Sequence, residues 1–284
     1  MTEAPLIIAV APNGARRRQA DHSAIPVTAA ETAATAALCA EAGASLLHLH
    51  VRDRDENHIL DADAYRDAIA AVRKAVGNRM IVQITTEAVG HYSQAEQMAV
   101  VRAVRPEAVS VALRELIQTP EDEPEAAAFL AELANDDVMV QHIVYTPSEV
   151  THLRGLMRRG VVPDDRPPFP LFVLGRYSAG QVSSPADLLP FLHAWGDAGP
   201  WAMCAFGRRE AACTAVAAGL GGHVRVGFEN NLWLPDGGVA AHNADLVALA
   251  AQAGALAGRA PATAEAARTL LHPPPATPSN VQGD

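Results

Sequence analysis

The feature that most constrains this chain is a unit that recurs eight times: a short β-rich apolar run, a turn, then an Ala-rich stretch of helical character. The runs are Leu6–Ala11, Ser45–Val51, Met80–Thr86, Ala108–Leu113, Val138–Tyr145, Pro170–Gly175, Trp201–Gly207 and His223–Glu229. Helix starts between them carry a hydroxyl followed three positions on by an acid: Thr28 with Glu31, Ser93 with Glu96, Thr146 with Glu149, Ser184 with Asp187. The hydroxyl caps a free N–H and the acid suits the positive helix end. Pro147 and Pro185 fall at the first helical position, where a missing N–H costs nothing. Such alternation specifies a parallel α/β sheet, and eight units over 284 residues close naturally into a single-domain (β/α)₈ TIM barrel. An open doubly wound sheet is the competitor, but Pro12-Asn-Gly-Ala-Arg16 lacks its Gly-rich phosphate turn. The barrel is assigned to residues 1–271, with Asp164–Pro170 as a loop before the sixth strand. The Pro-rich stretch 272–284, which cannot form a helix, is assigned to a C-terminal tail.

Composition then narrows the function. Apolar residues at 49% supply a core and exclude disorder for most of the chain. No apolar run approaches the roughly 20 residues of a membrane helix, and the N-terminal residues do not read as a secretory signal. Three cysteines are too few for a disulfide framework, which fits a reducing, cytoplasmic setting. A net charge of −10 argues against nucleic acid or an anionic membrane as partner, and 5% aromatics argue against a base-stacking platform. A small anionic substrate held by a local Arg cluster stays open.

In a barrel, chemistry gathers at the C-terminal ends of strands. The second run ends in Leu47-His48-Leu49-His50, and a period of two puts both imidazoles on one face. They read either as metal chelators or as hydrogen-bonded core groups. The eighth run carries Arg225 and Glu229 in an apolar setting, where charge must be paired or metal-bound. Two His and one carboxylate with an open position form a catalytic zinc set; an Arg225–Glu229 ion pair closing the barrel mouth is the plainer reading. Thr85, Thr86 and Glu87 end the third run, and Ser110 lies in the fourth. Gly207-Arg208-Arg209 opens a helix and reads as an anion site or as an ordinary solvated helix start. His142 and Tyr145 read as core or supporting groups.

The segments APNGARR (11–17), ADHSAIPVT (20–28), GASLLHLHVRD (43–53), VQITTEAVG (82–90), FVLGR (172–176) and GGHVRVGFENN (221–231) together resemble the β-keto acid cleavage enzymes, typified by 3-keto-5-aminohexanoate cleavage enzyme. The resemblance runs from Pro5 to Leu271. It implies a zinc-dependent barrel that condenses a 3-oxo acid with acetyl-CoA, giving acetoacetate and a new acyl-CoA, in a homo-oligomer, often a tetramer. It places zinc ligands on His48, His50 and Glu229, the catalytic Arg on Arg225, and a hydroxyl on Thr85 where the typical member has Ser. Two departures stand out. After the zinc Glu the family pattern has Asp-Asn, whereas this chain has Asn230-Asn231, and an amide cannot accept the substrate's C2 proton. Glu87, where the family often has Gly, is a candidate substitute base; an exposed or substrate-binding acid is the other reading. Arg16 stands where the aminohexanoate type has an acid facing the substrate's amino group, which suggests an anionic or neutral substrate tail, or else a solvated surface cluster. Thr86, Ser110 and Arg208 complete the candidate substrate contacts. A CoA-independent zinc lyase or aldolase, and a catalytically retired binding protein, are the alternative functions.

Overall fold

Alternation of apolar faces gives strands β1 (Ile8–Val10), β2 (Leu46–Leu49), β3 (Val51–Arg52), β4 (His58–Ile59), β5 (Ile81–Thr85), β6 (Ala108–Ala112), β7 (Met139–Val144), β8 (Phe169–Leu174), β9 (Ala202–Ala205) and β10 (His223–Val226). Residues 4–163 and 166–271 are described by the computed structural model. The tail at 272–284 and part of the loop before the sixth barrel strand lie outside them. Eight of these strands form a closed parallel barrel in the order β1-β10-β9-β8-β7-β6-β5-β2, while β3 and β4 form a separate antiparallel pair.

The helices are α1 (Ala29–Glu41), α2 (Ala62–Val76), α3 (Gln94–Val104), α4 (Leu113–Leu116), α5 (Glu123–Asn135), α6 (Pro147–Arg158), α7 (Leu188–Trp195), α8 (Glu210–Gly219), α9 (Asn243–Leu256) and α10 (Ala264–Leu271). Reciprocal caps at Thr28–Glu31 and Ser93–Glu96 start α1 and α3, and Thr146 accepts from the Glu149 N–H with Pro147 at the first position of α6. Ser184–Asp187 instead starts a 3₁₀ turn that leads into α7. Helix α2 buries Tyr65, Ala68, Val72 and Val76, one stripe at helical spacing. Each valine there contributes about 1.5–3 kcal/mol by leaving water, so Val72→Asp would unseat the helix.

Strand parity sorts the core into two layers. Outward residues such as Ile8, Leu47, Leu49, Val82, Ile84 and Val109 meet the helices. Inward residues such as Ile7, Leu46, Ile81, Leu171, Val173 and Cys204 fill the barrel, and Ala267 and Leu271 of α10 join that cluster. Apolar side chains dominate the interior at that end, with His223 buried among them, and the Arg225–Glu229 pair lies toward the opposite, C-terminal end.

The observed strands differ from the sequence runs by up to three residues at their ends, and two of these differences bear on the site. The second run does not continue as one strand to Val51: β2 stops at Leu49, and Val51 pairs with Ile59 across the small hairpin. The Asn13 side-chain amide donates to the His50 carbonyl at 3.3 Å, so that carbonyl leaves the barrel ladder. Arg52 fastens the hairpin to the first loop by donating to the carbonyls of Asn13 (3.1 Å), Arg17 (3.0 Å) and Gly14. The eighth run likewise ends at Val226, so Glu229 sits on a turn beyond β10 rather than in the strand.

Candidate active site

That turn explains how a carboxylate reaches the barrel mouth. Gly227 adopts φ +130°, and a Cβ there would lie 2.5 Å from the Ala11 carbonyl oxygen, so only glycine lets the chain bend against β1. The Glu229 N–H then donates to the same Ala11 carbonyl at 3.0 Å. Gly14, at φ +60°, forms the wall behind the Glu229 side chain.

Glu229 divides its two oxygens. Oε1 accepts from Arg225 Nη2 at 2.7 Å. Oε2, buried and without a hydrogen-bond donor among the described residues, faces His50 Nε2 at 3.4 Å and His48 Nε2 at 3.6 Å. The two imidazole Nε2 atoms are 3.1 Å apart. Their tautomers follow from their other partners. Gln83 donates from Nε2 to Gln141, so its Oε1 faces His48 Nδ1 at 2.9 Å, and that nitrogen carries the proton. His58 donates from Nε2 to the Glu87 carbonyl at 3.1 Å, which leaves its Nδ1 to accept from His50 Nδ1 at 3.4 Å. Both Nε2 atoms are therefore bare and point at a carboxylate oxygen. Burial first, and then the Arg225 charge, pushes His48 down to about 4; burial likewise holds His50 well below the usual histidine range. For Glu229 burial works toward protonation, but the Arg225 charge beside it overcomes that and holds the carboxyl well below the usual carboxylate range.

Three bare donors converging in a dry site fit a cation. Bonds of about 2.1 Å in a tetrahedron imply donor separations of about 3.4 Å, close to the spacings of 3.1, 3.4 and 3.6 Å here. His48, His50 and Glu229 are also the metal-competent cluster found among the described residues.

Two adjoining pockets open beside the cluster. The inner one is lined by His48, Thr85, Glu87, Tyr145, Arg225 and Glu229, among others. The outer one is lined by Gly14, Arg16, Arg17, Gln181 and Asn13, and Glu87, Arg176, Phe206 and Glu229 border both. Glu87 Oε2 lies 4.0 Å from His50 Nε2, and its Oε1 lies 3.6 Å from Arg176 Nη2. Burial, and next the charge of Glu229, pushes the Glu87 carboxyl up to about 7. Thr85 Oγ1 accepts from the Glu87 N–H at 3.2 Å, so this hydroxyl and this carboxylate are positioned together.

The remaining sequence candidates divide. Arg16 is exposed and reaches the outer pocket. Thr86 turns the other way and donates to the Ser110 carbonyl at 3.3 Å, as strand parity with the inward Thr85 requires. Ser110, in register with Thr85, is buried and borders neither pocket; its hydroxyl has no partner among the described residues. Arg208 stacks over Trp233 at 4.5 Å and borders neither pocket. Asn230 is 0% exposed and also lies behind the pockets, its amide donating to Glu210 at 3.4 Å and to the Arg225 carbonyl at 3.2 Å.

Arg176, Gln83, His58 and Glu210 carry parts of the site to which the sequence reading gave no role. Gln83 had a signal: a polar residue in an apolar strand, two positions from Thr85 and so on the same face. Glu210 had none, since an acid in the first turn of a helix is ordinary. It is nevertheless 2% exposed, and burial pushes its carboxyl up to about 8.

Comparison with known proteins places the chain in a family. The family model described as beta-keto acid cleavage enzyme matches residues 5–272. The 3-keto-5-aminohexanoate cleavage enzyme of Fusobacterium nucleatum is 28% identical over 94% of this chain and 97% of its own. The 3-oxoadipate:acetyl-CoA acetyltransferase of Cupriavidus necator is 28% identical over 94% of each chain. Among solved structures, the apo form of ObcA superposes with a TM-score of 0.71 at 17% identity, over 87% of this chain and 65% of that one. This last likeness is one of fold.

Proposed function

The chain belongs to the β-keto acid cleavage enzyme family, and from that premise we propose that it condenses a 3-oxo acid with acetyl-CoA, releasing acetoacetate and a new acyl-CoA. The observation that carries this reading is the set of three bare donors, His48, His50 and Glu229, beside a buried Arg225 and a pocket-lining Glu87. A divalent metal held by those donors would supply Lewis-acid polarisation of the keto group and the substrate carboxylate. Arg225, 3% exposed and fixed by Glu229, binds the negative charge that grows on substrate oxygens. Glu87 accepts the C2 proton, a role its elevated pKa suits and the Asn230 amide cannot fill. Thr85 holds the Glu87 backbone and places its hydroxyl in the same pocket. The C2 carbanion attacks the acetyl carbonyl and expels CoA thiolate. The thiolate adds to the former keto carbon, the C2–C3 bond breaks, and protonation of the leaving carbanion gives acetoacetate.

The outer pocket indicates the tail of the acid. Arg16, Arg17 and Arg176 surround it, facing Glu87 and Glu229, so the reading favours an anionic tail, as in a 3-oxo dicarboxylate. Zinc as the ion, a homotetramer as the assembly and the cytoplasm as the compartment complete the reading on the family resemblance. The test is acetoacetate release by zinc-loaded protein, with and without acetyl-CoA, across charged, polar and alkyl 3-oxo acids. Release that requires acetyl-CoA is expected. Release without it would assign a CoA-independent lyase or aldolase, and saturable binding without turnover would assign a retired, ligand-binding homologue.

A further inference from the structure

One carboxylate gathers the turn that delivers Glu229. Glu210, the first residue of α8, accepts on Oε1 from the Gly227 N–H (3.3 Å) and Asn230 Nδ2 (3.4 Å), and on Oε2 from Asn231 Nδ2 (3.2 Å). These three donors flank Glu229 on both sides. Asn230 Nδ2 also donates to the Arg225 carbonyl at 3.2 Å, so the amide has two acceptors on its nitrogen side and only one orientation that suits both. An acid at position 230 would set a carboxyl oxygen against Glu210 and against that carbonyl, in a spot with 0% exposure. Arg17, whose Nη2 donates to the Asn230 carbonyl at 3.4 Å, is the nearby cation.

We propose that Glu210 and Asn230 form a coupled pair holding a single buried carboxyl between them, and that Glu210 is the positioning residue that keeps Glu229 and Arg225 in the site. The asparagine at 230 then follows from the glutamate at 210: the acid expected at 230 stands on α8 instead, and acts through the turn rather than on substrate. Asn230 is thus neither a damaged base nor a sign of lost activity.

This inference rests on the proposed function only where turnover is measured, and its test includes readouts that need no substrate. Glu210→Gln, Asn230→Asp and the double variant are compared by urea unfolding and by Zn²⁺ affinity in chelator competition, then by kcat and KM. Each single variant is expected to weaken Zn²⁺ binding about tenfold, the range seen when groups supporting metal ligands are lost. Asn230→Asp is expected to lower kcat rather than raise it. The double variant, which again holds one acid and one amide, is expected to recover most of the affinity and stability. If Glu210→Gln does not fold but the double variant does, the coupling is supported. Additive losses in the double variant, or an Asn230→Asp protein with higher kcat and unchanged stability, would overturn it. Absence of acetoacetate release from every form would count against the proposed reaction and leave the binding and unfolding tests of the pair in force.

Discussion

Replacing Gly14 by alanine sets a methyl group where Glu229 already stands. A Cβ at Gly14 would lie 2.5 Å from Glu229 Cγ, 2.9 Å from its Cβ and 3.1 Å from its Cδ. Carbon atoms in comfortable contact are about 3.5–4.0 Å apart, so three atoms overlap at once. The backbone adds to this, because φ +60° costs an L-residue with a Cβ about 1–2 kcal/mol. Overpacking a tight site costs a further 1–3 kcal/mol or so, giving a total of about 2–5 kcal/mol before anything moves. The easiest relief is rotation of the Glu229 side chain, which would widen its spacings of 3.4 and 3.6 Å to His50 and His48. The cost should therefore be shared between folding and metal binding. Urea unfolding of the metal-free protein measures the first part, and Zn²⁺ competition with a chelator measures the second. Their sum should reach at least about 2 kcal/mol, with a loss of affinity of roughly tenfold for each 1.4 kcal/mol that falls on the metal. Stability and affinity both unchanged to within about 0.5 kcal/mol would refute the packing argument, since that is the scatter of innocuous substitutions.

Other outcomes follow from the same geometry. Glu229→Ala leaves the 3%-exposed Arg225 without its 2.7 Å partner, so unfolding should show a loss of about 3–5 kcal/mol; a loss under about 1 kcal/mol would mean that solvent reaches the guanidinium. Glu87→Gln should lower kcat by about 10²–10⁴ and abolish C2 hydrogen–deuterium exchange while metal content stays at wild-type level; an unchanged rate would remove Glu87 as the base. Arg176→Ala and Arg16→Ala should each impair dicarboxylic 3-oxo acids more than alkyl ones, with the larger loss at Arg176, which lines both pockets; equal kcat/KM losses on both acid classes would count against an anion-reading pocket. Glu210 has a folded-state pKa of about 8, above its usual value of 4.5. Its protonated form thus favours the folded state, and that stabilisation is complete below about 4.5 and lost as pH rises through about 8. The melting temperature of Glu210→Gln relative to wild type should therefore climb between pH 4 and pH 9, and a flat difference would contradict the assignment.

How much of this was legible in the sequence depends on the range of the interaction that decides each feature. The eight barrel strands and the caps at Thr28 and Ser93 are decided by residues within four positions of one another, so alternation and capping chemistry reveal them. The shared face of His48 and His50 follows from parity alone, and parity applied once more would have excluded Thr86 in favour of Thr85. Register is another matter. That Gln83 lies beside His48 depends on how β2 and β5 slide against each other, which local sequence does not specify. The hairpin that brings His58 to His50 depends on Arg52 capturing carbonyls of the first loop, a contact across 35–39 residues. Gly207-Arg208-Arg209 read as an anion site or an ordinary helix start, whereas Arg176, just past β8, lines both pockets. Composition cannot decide which of several arginines points inward. Glu210 was invisible because only the arrival of the 227–231 turn against α8 converts an ordinary helix-start acid into a buried one.

The order of strands around the barrel has a consequence in time. Strands β2 and β10 flank β1, so His48 in β2 and His50 just past it stand on one side of the first strand, and Glu229, on the turn after β10, stands on the other. The chain must therefore be made past residue 229, and the last barrel strand must dock beside the first, before the third donor meets the other two. An unfinished or truncated barrel offers the pair of histidines without Glu229. An ion that needs all three donors binds the completed molecule and no earlier form, and so draws the folding equilibrium toward closure by mass action. The three-donor cluster is in this sense an inspector of finished goods: a ring with one stave missing cannot complete it, and only a closed one can.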